Sequence, residues 1–183
     1  AGRDLAALDR RVRTTPAFDQ HLGKLREGEK AYAKDAEARE LAGKGRLPEA
    51  LAASEEAIRM SSRQAPFYAT RASVRLRMGD AAAARQDAER ARALDGALFE
   101  PAFLLGLSSL QGGDLTAARG ALMKAGALWP DHPGPPFSLG QVAERQGRKE
   151  EARSRYAQAA QLDPEGKSYG RTAAEALNRL NGP

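Results

Sequence analysis

The sequence predicts an all-α protein built as a stack of helix–turn–helix repeats, and three observations carry that prediction. The first is a strict period. Gly45, Gly79, Gly113 and Gly147 follow one another at intervals of 34 residues. In the same phase run Ala50, Ala84, Ala118 and Ala152, then Ala57, Ala91, Ala125 and Ala159, then the larger Met60, Leu94, Leu128 and Leu162. The second is composition, rich in alanine, punctuated by glycine and poor in β-branched residues, which favours helix nearly throughout. The third is the stretch from Phe99 to His132, where the pattern is cleanest. Glu100 to Gln111 reads as one amphipathic helix, Gly112-Gly113-Asp114 as a turn and Thr116 to Leu128 as a second helix. Trp129-Pro130 then stops it, because proline lacks the N–H and clashes with the preceding turn.

The period holds without a phase slip across four windows, 31–64, 65–98, 99–132 and 133–166. In the third, Leu105-Gly106, Gly113-Asp114, Ala118, Leu122, Ala125, Leu128 and Pro130 stand where tetratricopeptide (TPR) repeats carry their signature residues. The fourth has Leu139-Gly140, Gly147, Ala152, Tyr156, Ala159, Leu162 and Asp163-Pro164; the second has Tyr68, Ala72, Gly79-Asp80, Ala84, Ala88 and Ala91. The first is degenerate, with Lys34 and Glu37 at normally apolar positions. The chain therefore resembles the TPR family. The resemblance implies a right-handed superhelical solenoid with a helical extension over 1–30, four repeats over 31–166 and a capping helix over 167–183.

Each element has its own local reason. Leu5, Leu8 and Val12 lie at helical spacing among arginines, so 1–13 reads as a short basic amphipathic helix packing on the first repeat, or alternatively lying on a membrane surface. Thr14-Thr15-Pro16 is a helix start, and Phe18, Leu22 and Leu25 form an apolar stripe over about 16–28. Within the repeats, Ala72, Gly106 and Gly140 are expected to face Ala84, Ala118 and Ala152, where larger residues would overpack. Arg71 and Arg75 occupy inward positions of the second repeat; the family's pairing of positions gives Arg71 a structural partner in Asp87. After Asp163-Pro164-Glu165-Gly166, one face of Tyr169, Ala173, Ala176, Leu177 and Leu180 predicts the cap, since one repeat cannot bury its apolar face alone.

The chemistry available is sparse. With no cysteine there is neither disulfide nor thiolate chemistry. His21 and His132 belong to no metal-spacing motif and read as surface histidines. Gly43-Lys44-Gly45 lacks the spacing of a phosphate loop, and Ser61-Ser62 and Ser108-Ser109 lack a nucleophile-elbow context. Glu55-Glu56 and Glu150-Glu151 read as solvated faces. The sequence thus predicts neither enzyme activity nor a cofactor. The net charge of +5 is dispersed and interleaved with acids, not gathered in a stripe, which argues against nucleic acid. No apolar run approaches the ~20 residues that cross a bilayer.

What remains is a surface. The resemblance places a peptide-binding groove on the concave face, lined by the first helix of each repeat. The matching residues here are Arg39, Leu76, Arg77, Phe103, Leu104, Leu107, Leu110, Phe137, Gln141 and Arg145. In the third repeat Phe103, Leu107 and Leu110 add a second apolar stripe, which either packs on neighbouring helices or floors a groove rimmed by Arg39, Arg77 and Arg145. The residues at the carboxylate-clamp positions of chaperone-binding members are Asp35, Arg39, Thr70, Glu100 and Leu104, or one repeat on Ala69, Ser73, Leu104, Gly134 and Ser138. They do not make the clamp, so a heat-shock chaperone tail is not the expected partner. The expectation is a non-catalytic module, an adaptor, scaffold or assembly factor, with a protein or peptide partner. A second resemblance, weaker in extent, rests on Gly28-Glu29-Lys30-Ala31-Tyr32, Phe67-Tyr68 with Arg71, and Leu139-Gly140 with Tyr156 and Ala159-Ala160. These are similar to the C-terminal repeat tail of bacterial periplasmic zinc metallopeptidases, which would place the chain in the periplasm; otherwise the cytoplasm is expected. An HExxH motif upstream in the reading frame would decide between them.

Overall fold

The structure, a computed structural model, describes residues 16–182. The predicted helix over 1–13 and the Thr14-Thr15 cap lie outside the described residues, as do the side chains of Phe18, His21 and Leu22. Among the described residues all regular structure is helical: α1 (Pro16–Gly43), α2 (Leu47–Met60), α3 (Ala65–Arg77), α4 (Ala81–Leu94), α5 (Phe99–Gln111), α6 (Leu115–Leu128), α7 (Gly134–Arg145), α8 (Lys149–Leu162) and α9 (Gly170–Asn181). The turn glycines explain the period. Gly45, Gly79, Gly113 and Gly147 have φ of 79°, 87°, 85° and 74°, a left-handed conformation that costs glycine little and other residues more. In the second and third repeats the next residue caps the following helix: Asp80 accepts from Ala83 N–H and Asp114 from Ala117 N–H, both at 3.0 Å.

The chain divides into two compact units, one ending at Gln64 and the other beginning at Ala65. The first is a helical hairpin. A single helix of 28 residues replaces the two expected over 16–28 and the start of the first repeat. Gly23 and Gly28 lie inside it, and each glycine weakens a helix by only about 1 kcal/mol without ending it. Leu25, expected in a packed stripe, is exposed. The degenerate positions are satisfied by charge: Lys34 reaches Glu37 at 2.9 Å and, across to α2, Glu56 at 3.3 Å. Buried Asp35 pairs with Arg39 at 2.5 Å.

The second unit stacks three helix pairs, α3–α4, α5–α6 and α7–α8, and closes with α9. Its interior is small side chains at the repeated positions, among them Ala84, Ala118, Ala125, Ala152 and Ala159, all fully buried. The close approach inside a pair differs from expectation. A Cβ on Gly106 would come within 2.6 Å of Leu122, and one on Gly140 within 2.6 Å of Tyr156. The nearest neighbours of these glycines on the second helix of each pair are therefore Leu122 and Tyr156, rather than Ala118 and Ala152. In the second repeat Arg71 grips buried Asp87 through two bonds of 2.9 and 2.6 Å, and Arg75 adds a third at 2.8 Å. A shift of 34 residues carries Arg71 to Leu105 and then Leu139.

The cap is fastened at both ends. The Asp163 carboxylate accepts from the backbone N–H groups of Lys167, Ser168, Tyr169 and Gly170 at 2.8–3.0 Å. The N–H groups of Gly170, Ser168 and Lys167, with the Ser168 hydroxyl, hold its pKa well below the usual carboxylate range. At the other end Arg153 donates to the Leu180 carbonyl at 2.5 Å. Ala173 and Ala176 are buried, with Leu177 and Leu180 packed against the same cluster, while Arg171, Thr172, Glu175 and Arg179 face outward.

Candidate partner-binding surface

The first helices of the three pairs, α3, α5 and α7, place equivalent positions side by side. Leu76 and Leu110 share one repeat position; Arg77, Gln111 and Arg145 share the next; Leu107 and Gln141 share a third. These seven residues line one basin of about 310 Å³. Its floor is apolar and its only charged groups are two arginines. Polar rungs tie its wall together. Gln111 donates to the Leu76 carbonyl at 3.4 Å and Arg145 to the Leu110 carbonyl at 2.7 Å. Both carbonyls lie at a helix C-terminus and also accept from the turn glycine, Gly79 or Gly113, at 3.1 and 3.2 Å.

A second basin of about 580 Å³ adjoins the first, because Gln141 and Arg145 border both. It runs from α7 to the cap between Phe137, Tyr156, Thr172 and Glu175. Glu144 is its organising group, accepting from the Tyr156 hydroxyl at 2.8 Å and from Arg179 at 2.7 and 2.9 Å. Burial, and then this carboxylate, raise the Tyr156 pKa, so its hydroxyl stays a donor.

The residues singled out in sequence thus separate into three groups. Leu76, Arg77, Leu107, Leu110, Gln141 and Arg145 gather around the first basin. Phe103 and Leu104 are buried instead, and Phe137 shows only its edge, in the second basin. Arg39 lies on α1 in the first unit, paired with Asp35. Phe103 belongs to an aromatic cluster with Phe99 at 5.3 Å, His132 at 5.5 Å and Tyr169 at 6.4 Å between ring centroids. His132 is accordingly not a surface histidine; it is half-buried and its pKa is lowered by that burial. Gln111 was missed, although a shift of 34 residues from Arg77 lands on it. The same shift carries Arg145 to Arg179, which read as an outward charge of the cap, while Glu144 carried no such signal. Among the described residues no group of three or more His, Asp or Glu could hold a metal ion, and no helix is long and apolar enough to cross a membrane.

Comparison with solved structures assigns the architecture. The thermophilic TPR protein TTC0263 of Thermus thermophilus superposes with a TM-score of 0.72 at 19% identity, over 82% of this chain and 84% of that one. Cut9, in the APC/C hetero-tetramer Cut9–Hcn1, reaches 0.74 at 19% identity over 97% of this chain, which corresponds to 33% of its own length. The first TPR domain of Spaghetti (RPAP3), bound to an HSP90 peptide, gives 0.63 at 18% identity over 66% and 95% of the two chains. No family model and no curated sequence matches the chain. The protein has the TPR fold, an all-α repeat solenoid, in which α3, α5 and α7 line the first basin and α7, α8 and α9 the second.

Proposed function

We propose that this chain is a non-catalytic protein–protein interaction module, an adaptor or assembly factor, that takes a peptide segment in the basin of α3, α5 and α7. The observation that carries the reading is the basin's composition. Leu76, Leu107 and Leu110 make an apolar floor, Gln111 and Gln141 offer amides, and Arg77 and Arg145 supply its only charges. An apolar side chain with acidic residues beside it suits that composition. TPR domains seen with bound HSP90 and HSP70 peptides support a peptide as the partner class. They do not support the same tails, because the clamp positions here hold Thr70, Glu100 and Leu104.

Magnitudes set how long the segment is. One buried Leu-sized anchor contributes roughly 1.5–3 kcal/mol, whereas micromolar affinity needs about 8 kcal/mol. A single anchor is insufficient, so the segment continues past the Gln141–Arg145 wall into the second basin. Selection from a random peptide library displayed on phage tests this directly. Enriched peptides are expected to carry one or two large apolar residues flanked by Asp or Glu. Leu107→Glu, in a variant whose melting shows it folded, should lose them. Arg77→Ala should weaken binding more at low salt than at high salt, because exposed charge contacts are screened. No enrichment by the wild type, or enrichment unchanged in Leu107→Glu, would overturn the proposal.

A further inference from the structure

The loop between α6 and α7 holds His132 in a specific way. Its Nδ1 accepts a hydrogen bond at 3.0 Å from the N–H of Gly134, the first residue of α7. A ring nitrogen that accepts carries no proton, so this contact requires the neutral ring. The imidazole centroid lies 4.6 Å from Phe99, 4.8 Å from Trp129 and 6.1 Å from Tyr169. The ring therefore touches α5, its own loop and the residue before the cap helix. There is no slack on its inner side: a Cβ on Gly134 would come 2.6 Å from Phe103 and 2.8 Å from His132 itself.

Among the described residues, the groups recorded against this ring are uncharged. From α5 it meets Phe99 and Phe103, from the loop Trp129, from α7 the Gly134 N–H, and from the start of the cap the Tyr169 phenol. Among the described residues the phenol is the one other titratable group against the ring, and burial raises its pKa, keeping it neutral. Asp131, in the same loop, is exposed to solvent. Protonation would set an N–H against the Gly134 N–H and place a positive charge at a helix N-terminus, where the helix dipole disfavours it.

We propose that His132 is a pH-operated latch on the junction of the third and fourth repeats. In its neutral form it ties the start of α7 to α5 and the cap; protonated in mildly acidic solution, it lets them go. Phe103, Leu110, Leu139 and Val142 form one buried cluster, with Leu107 and Tyr169 packed against it, so loosening at the latch reaches the floor of the first basin. That last consequence rests on the peptide-binding reading; the latch does not.

The sign follows from burial, which lowers the folded pKa below the ordinary 6.5. The stabilisation is complete above that value and is lost as pH falls through the folded pKa. Trp129 is the only tryptophan, so its fluorescence reports the ring beside it without any partner. Between pH 8 and 5, wild-type fluorescence should titrate with a midpoint below 6.5, and protection of the Gly134 N–H from hydrogen exchange should fall several-fold. His132→Asn, whose side-chain oxygen accepts the same N–H without titrating, should give a flat profile with protection retained. His132→Phe should be flat with protection lost at every pH. A midpoint at or above 6.5, the same titration in His132→Asn, or unchanged Gly134 protection would overturn the latch. Should the variants fail to fold, the wild-type imidazole resonances, with His21 as internal reference, decide by the same midpoint.

Discussion

Between the two helices of a repeat there is room for one large side chain, and the repeats of the second unit divide it differently. In the third repeat Gly106 leaves the room to Leu122, and in the fourth Gly140 leaves it to Tyr156. At the same positions the second repeat has Ala72 and Ala88, both fully buried. The pairs trade volume, which predicts a coupled mutant cycle. Gly106→Ala should cost roughly 1–3 kcal/mol through overpacking, and Leu122→Ala about 2–5 kcal/mol through the cavity it leaves. Gly106→Ala with Leu122→Ala copies the second repeat and should cost less than the sum, read from urea unfolding of all four proteins. Strict additivity would show that the two positions do not share the space. The period identified these positions as equivalent, but it could not tell which of two small or medium residues on the second helix points at the glycine. Arg71–Asp87 was legible through the family resemblance, which pairs those two positions, and the structure bears the pairing out. Arg75 as a second ligand of Asp87 was not legible, since its length lets it reach either water or the carboxylate.

At the scale of elements, the cap depends on a residue that read only as a helix stop. Asp163 ends α8 and accepts the N–H groups that lead into α9, so one carboxylate joins two helices. Its folded pKa is depressed, so its contribution is complete above the ordinary carboxylate value of about 4 and is lost progressively as pH falls from there through the lower folded value. Hydrogen exchange along 170–181 should therefore lose protection on acidification toward pH 3. Asp163→Asn should remove much of that pH dependence and lower protection at pH 7. Equal acid sensitivity in wild type and Asp163→Asn would place the cause elsewhere. The cap itself was legible from its apolar face, but α9 begins at Gly170, because the backbone N–H groups of 167–169 bond the Asp163 carboxylate ahead of it. The long α1 was not legible as one helix. Between Gly28 and Ala31 the chain offers no breaker, and a repeat boundary inferred from period alone says nothing about continuity.

For the molecule as a whole, the repeat is both scaffold and template for the surface. A shift of 34 residues carries Arg77 to Gln111, Arg145 and Arg179. Two of these, Gln111 and Arg145, reach back to the carbonyl end of the preceding first helix; Arg179, on the cap, reaches the Glu144 side chain. The apolar floor was visible in the third repeat because Leu107 and Leu110 exceed what packing on Leu105-Gly106 requires. The burial of Phe103 was not visible, since it depends on His132 and Tyr169, which arrive from a loop and from the cap. The central claim is that this face, and no other, receives a partner segment. It is tested most directly by methyl-labelled leucine spectra of the protein titrated with a library-selected peptide. The methyls of Leu76, Leu107 and Leu110 should shift in proportion to occupancy, while those of Leu94 and Leu128 on the second helices stay in place. Saturable shifts at Leu94 or Leu128, with the basin leucines unmoved, would contradict the account.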